Sequence, residues 1–212
     1  MNEIQTMAQS SKVPTNTIII ESCNSGAFGE SAQQVTTMSD GMTLMGSSTR
    51  DRASMMSPNS MSVFSSPVVA ALEGGAANTR GHVSASSIYA YVDASLGEWS
   101  QRPIYKSHAK RVDPRRNCAP QCTDMELREI VTCFLDPKDT YAPSQEHEET
   151  TDVAVGDKFT VFKQMKKSQT AGLLSPVDPN QMDLYGVAMS SEKTRLPELG
   201  RFYHAFVTNR NI

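Results

Sequence analysis

The 212-residue chain predicts an α+β or mainly-β fold: about five short strands and one capped helix (about 124–135), preceded by a long extended arm. Three observations carry this expectation. Residues 1–87 hold only 10 charged side chains and two aromatics, Phe28 and Phe64, but 8 of the 12 methionines. Beyond them, most apolar residues fall in runs of strand length. One segment alone, behind Thr123, combines a cap with a sustained helical period. A leader rich in Ser, Thr, Met, Gly and Ala has little rigid apolar surface to offset the entropy of ordering. It is expected to be either a loose tail or an arm that orders on a partner. This divides the chain into an arm over 1–87 and a compact domain over 88–212.

In the leader, Thr17 to Ile20 is a β-branched run bounded by Pro14 and Asn24-Ser25-Gly26, and reads as an isolated strand. Ser66 to Leu72 reads as a weak helix that Gly74-Gly75 stops. Order is expected from Ile88, where Ile88, Ala90 and Val92 alternate with Tyr89, Tyr91 and Asp93 as in a half-buried strand. Thr123-Asp124-Met125-Glu126 is a capping box. Behind it Leu127, Ile130, Val131, Phe134 and Leu135 form one apolar stripe, ended by Asp136-Pro137. Val153–Val155 and Phe159–Phe162 flank Gly156-Asp157-Lys158 as a hairpin would. Leu184–Met189 and Phe202–Val207 read as further strands, with one turn of helix between them cut short by Pro197.

Two constellations could carry chemistry. Cys118 and Cys122, with Cys133 and His108 on either flank, supply four ligand types that zinc accepts, although only one close pair is present; three ordinary free thiols are the competing reading. Cys133 lies about 120° from the centre of the helix stripe, so it could face the Cys118–Cys122 loop. Arg102, Lys106, Lys110, Arg111, Arg115 and Arg116 form a basic run with Trp99 and Tyr105 nearby. It could neutralise phosphates while the rings stack on bases, or it could be solvated surface. Catalytic motifs are incomplete. Gly41–Gly46 has Walker spacing but lacks the lysine. His147-Glu148-Glu149-Thr150-Thr151 has Thr where a zinc-protease helix needs its second His, and Asp136–His147 lacks the closing Glu of a calcium loop.

Formal charge is −3, with 20 basic and 23 acidic residues, unlike a domain that tracks nucleic acid over its whole surface. The sequence shows neither a signal-peptide pattern nor an apolar run of spanning length, and no Asn-x-Ser/Thr acceptor, so an intracellular or virion setting is expected. Ser95–Lys106, behind the Ser-rich arm, resembles the stretch before the first jelly-roll strands of coat proteins of small picorna-like RNA viruses. Val155–Val161 is similar to their late strands. The resemblance implies a shell subunit whose arm threads between neighbours, though a jelly roll has eight strands.

The expected function is therefore a non-enzymatic structural subunit of a larger assembly, such as a capsid or other virion coat component. Its partners would be further copies of the chain or other subunits. The expected contact residues are Ile18, Ile19, Ile20, Met42, Met45, Met55 and Met56, since a β-branched run can augment a sheet and methionines adapt to irregular grooves. The alternative is a nucleic-acid-binding accessory protein acting through 102–116, with or without zinc.

Overall fold

The computed structural model describes residues 6–8, 10–21, 38, 40–47, 62–96, 102–109, 111–148, 155–181 and 183–210. The chain is a mixture of helices and short strands, broadly α+β, and it divides into two compact units, Met1–Ala119 and Pro120–Ile212. Among the described residues no helix is long and apolar enough to cross a membrane.

The first unit holds a three-stranded sheet of β1 (Asn16–Ile20), β2 (Met42–Gly46) and β4 (Ile104–Ser107) in the order β1-β2-β4. β1 runs parallel to β2 and β4 antiparallel to it. All five residues of β2 are buried, as a central strand covered on both faces requires. Helix α1 (Ser65–Ala70) continues as a wider turn over Ala71–Gly75 and stops where Gly74 takes φ 124°, beyond the reach of ordinary side chains. The expected helix over 66–72 with its glycine stop is therefore present. β3 (His82–Ser84) pairs antiparallel with β5 (Pro114–Asn117), and α2 (Ala85–Ser95) follows β3 directly.

The core of this unit is Met45, Phe64, Val68, Ala71, Val83, Ile88 and Val92. Five of these seven residues lie before position 88, in the part the composition assigns to an arm. Where it is described, that part supplies most of this unit's core, although residues such as Met7 and Val13 are exposed. Phe64, Val68 and Ala71 recur at i, i+4 and i+7 on one helical face, and small residues let that face close on Val83 and Ile88 without large side chains. The expected strand at Ile88 is also replaced: Ala85–Ser95 is helical. The Ser84 hydroxyl accepts the Ser87 amide at 3.1 Å and the Ser84 amide donates to the Ser87 hydroxyl at 3.0 Å. Ile88 and Val92 satisfy i, i+4 as well as alternation, and the cap decides between the two.

The second unit is mainly helical. α3 (Asp124–Cys133) starts at the expected capping box, with Thr123 and Glu126 bonded reciprocally. It buries Leu127 and Ile130, but ends at Phe134, which leaves Leu135 at 88% exposure instead of on the stripe. α4 (Gly156–Thr170) occupies the expected hairpin: Gly156-Asp157-Lys158 forms its first turn, and Phe162, Met165 and Ser168 are buried along one face. Val155–Val161, a strand in the coat-protein resemblance, thus opens a helix. α5 (Leu184–Ser190) and α6 (Glu198–Arg210) replace the two expected late strands. The Asp183 carboxylate caps α5 through the Gly186 amide at 2.7 Å, and Pro197 starts α6, its carbonyl accepting the Arg201 amide at 2.9 Å. Between these helices lie β6 (Thr140–Tyr141), β7 (Ser175–Pro176) and β8 (Thr194–Arg195), in the order β6-β8-β7. His204 in α6 donates from Nε2 to the Phe134 carbonyl at 2.6 Å, which satisfies an end carbonyl of α3.

Candidate functional site

β1 is an outer strand, and its register fixes where its backbone points. The Asn16 amide donates to the Gly41 carbonyl at 3.0 Å, and the Ile20 carbonyl accepts the Ser47 amide at 3.1 Å. In a parallel ladder a residue directs its N–H and C=O to the same side, and successive residues alternate. Asn16, Ile18 and Ile20 therefore bond β2, while Thr17 and Ile19 direct their peptide groups to the outer edge. Among the described residues no strand pairs with that edge. Ile19 is 37% exposed, and Ile18 and Ile20 are half-buried. The opposite edge, β4, carries Lys106 and Ser107; between Asn16 and Ile20 the first edge carries neither charge nor proline.

The methionines are placed differently from the expectation. Met42 is 3% and Met45 0% exposed, so both fill the interior of the first unit and neither is free to meet a partner. Central strands bury both faces, and a methionine there is core. Met55 and Met56 lie outside the described residues.

The basic run is drawn largely into local anchoring. Arg102 donates to the Asp93 carbonyl at 2.8 Å and to its carboxylate at 3.1 Å. Arg111 pairs with Asp113 at 3.0 Å, and Arg115 donates to the Thr15 carbonyl and hydroxyl at 3.3 and 3.1 Å. Asp113 also accepts the Thr15 hydroxyl at 3.0 Å. Burial alone would raise the Asp113 carboxyl; the bonds from Thr15 and Arg111, with the charges of Arg111 and Arg115, hold it below the usual carboxylate value. This cluster pins the segment entering β1 onto β5. Lys106 is half-buried and Arg116 exposed, while Lys110 and Trp99 lie outside the described residues.

The four candidate zinc ligands each have other surroundings. His108 is exposed, its Nδ1 lying 3.1 Å from the Met38 carbonyl and 3.5 Å from the Asp40 carboxylate. The Cys118 thiol donates to the Leu72 carbonyl at 3.8 Å. Cys122 is fully buried in the second unit's core, and Cys133 packs against that core. Burial raises the pKa of both thiols, away from the thiolate that a metal needs. Among the described residues no group of three or more His, Cys, Asp or Glu is placed to hold a metal ion. A shallow depression of about 440 Å³ on the first unit is lined by serines, Tyr91 and small apolar residues such as Val63 and Pro67; its described lining holds no carboxylate, imidazole, amine or thiol.

One buried network has no counterpart in the sequence reading. His147, 5% exposed, closes the short turn Gln145–His147: its Nδ1 accepts the Ser144 amide at 3.1 Å, and its Nε2 lies 2.9 Å from the Tyr141 hydroxyl. An accepting Nδ1 places the proton on Nε2, so the ring is neutral and donates to Tyr141. Burial lowers the pKa of His147, and the Lys158 charge lowers it further, against the opposing charge of Glu146. The signal in the sequence is Ser144 standing three residues ahead, a cap partner for the imidazole. Because the folded value is depressed, the stability this neutral ring supports is complete above its unfolded pKa of about 6.5 and is lost as pH falls below that. Denaturation midpoints should decline as pH drops from about 7 to 5, before the carboxylates titrate. His147→Asn, which can still accept the Ser144 amide, should be flat over that range; an equally steep decline in the variant would disprove the assignment.

No protein-family model, curated protein or solved structure matches this chain.

Proposed function

We propose that this chain is a non-enzymatic structural subunit that joins a larger assembly through the outer edge of β1. The observation that carries the reading is the pair of outward peptide groups at Thr17 and Ile19, on a strand without the charges or proline that ordinarily block edges. Such an edge accepts another strand by main-chain bonding. The anchoring by Arg111, Arg115 and Asp113 favours this over nucleic-acid contact, because those cations hold the entry to β1 in place.

The magnitude also points to an assembly. Each edge hydrogen bond contributes about 0.5–1.5 kcal/mol net, whereas association costs at least about 4 kcal/mol in lost freedom. One such contact is weak alone and becomes effective where other contacts of the assembly hold the two edges together. Light scattering from micromolar to near-millimolar protein should show mass rising with concentration. Ile19→Pro removes an outward N–H and no β1–β2 bond, since that ladder uses the amides of residues 16, 18 and 20. It should hold the chain at monomer mass while the Ile18 amide stays protected from exchange. A wild-type chain that remains monomeric throughout overturns the proposal.

A further inference from the structure

We infer that the partner strand is β1 of a second copy, running antiparallel, with Ile18 of each copy facing Ile18 of the other across a two-fold axis. This rests on the edge reading above and adds the occupant and its register. The two outward peptide groups lie one residue to each side of Ile18, so the edge is complementary to its own two-fold image. Thr17 of one copy exchanges N–H and C=O with Ile19 of the other, and the reverse pair does the same, giving four main-chain bonds. The two Ile18 residues form the intervening non-bonded pair, where Cα atoms approach to about 4.5 Å and β-branched side chains pack well.

The length of the available edge supports this register. β1 spans Asn16–Ile20, with Ile18 at its centre. The Thr15 carbonyl, next in line to face outward, is taken by the Arg115 guanidinium. Beyond Ile20, the Glu21 carboxylate is bound by the Ser65 hydroxyl, which ties the strand's end to α1. The stretch left for pairing is centred on Ile18, and a two-fold pairing centred there uses both of its outward groups. A longer partner strand would meet the Thr15 carbonyl already bound by Arg115 at one end and the anchored glutamate at the other.

Cross-linking across the axis tests both occupant and register. In the proposed pair, cysteines replacing Ile18 face each other within disulfide reach. Those replacing Ile20 are displaced by four residues, about 13 Å along the strand, and cannot bridge. Ile18→Cys, oxidised at the concentration where light scattering detects association, should give a dimer bridged through position 18, identified by peptide mapping so that bridges through native cysteines are distinguished. Ile20→Cys should give at least about tenfold less bridging through its own position, and adding Ile19→Pro to Ile18→Cys should suppress the bridge similarly. Mass growth that Ile19→Pro abolishes, without any bridge through position 18, would overturn the two-fold pairing and leave an edge that serves a different partner or register. Absence of mass growth overturns the edge reading itself. Protection of the Ile20 amide in Ile18→Cys confirms that β1 remains seated, so that a missing bridge counts against the register.

Discussion

Phe162→Ala is expected to remove about 3–5 kcal/mol from the second unit, the cost of emptying a large aromatic site in a packed core. Phe162 is 1% exposed and stands at the centre of that unit's core, on the face of α4 that also buries Met165. Its ring meets His147 edge-on with centroids 6.1 Å apart, and the Lys166 ammonium lies 4.8 Å from its centroid. Lys166 in turn pairs with the buried Glu148 at 2.7 Å. The truncation therefore opens a cavity and takes away one wall of the His147 site together. For a unit of this size the melting midpoint should fall by more than about 12 °C. Thermal unfolding followed by circular dichroism, with amide exchange along α4, measures the effect. A loss below about 1 kcal/mol would mean that Phe162 is not the keystone its burial indicates. Water entering the cavity should also ease protonation of His147, moving its pKa back toward the ordinary value and flattening the acid decline described above.

The contrast between α3 and the other helices shows what could be read from residues alone. α3 was legible because two independent signals coincide: the Thr123–Glu126 box and five apolar residues at helical spacing. At Phe159–Phe162, Leu184–Met189 and Phe202–Val207 the apolar runs are short, and a run of four to six residues suits a buried strand as well as a buried helix face. Local chemistry separates them. Asp183 ahead of Leu184 and Pro197 ahead of Glu198 are helix-start signals, and Ser84 with Ser87 is a cap that outweighs the alternation of Ile88, Ala90 and Val92. β1 was legible from its isoleucines. Its partner β2, Met-Thr-Leu-Met-Gly, has a composition without β-branched character beyond Thr43 and reveals itself only through long-range pairing. The same applies to the site: the isoleucine run identifies an edge-competent strand, but which residues face outward follows from the Asn16–Met42 register, which no local signal specifies.

Gly41→Ala is expected to unseat β1, and it separates loss of the strand from loss of its outer edge. Gly41 adopts φ +81°, where an L side chain costs about 1–2 kcal/mol, and a Cβ there would sit 2.1 Å from the Pro14 carbonyl oxygen. Overpacking against backbone adds about 1–3 kcal/mol, because a carbonyl cannot rotate aside as a side chain can. The same residue joins the sheet's two outer strands to its centre. Its carbonyl accepts the Asn16 amide at 3.0 Å, and its amide donates to the His108 carbonyl at 2.9 Å. Relieving the clash requires moving Pro14 away, which draws Asn16 off its acceptor and breaks the ladder at its first rung. The first unit should lose roughly 2–5 kcal/mol, read by urea denaturation, and the amides of Asn16 and Ile18 should lose protection. Association through β1 should vanish with them. In Ile19→Pro the same association vanishes while those amides stay protected, because its lesion lies on the other side of the strand. If Gly41→Ala keeps Ile18 protected and the stability within about 0.5 kcal/mol, the close approach of Pro14 to Gly41 is not what seats β1. If instead both variants lose association and only Gly41→Ala loses protection, the assembling feature is the outward peptide edge, and the β1–β2 ladder is the support that presents it.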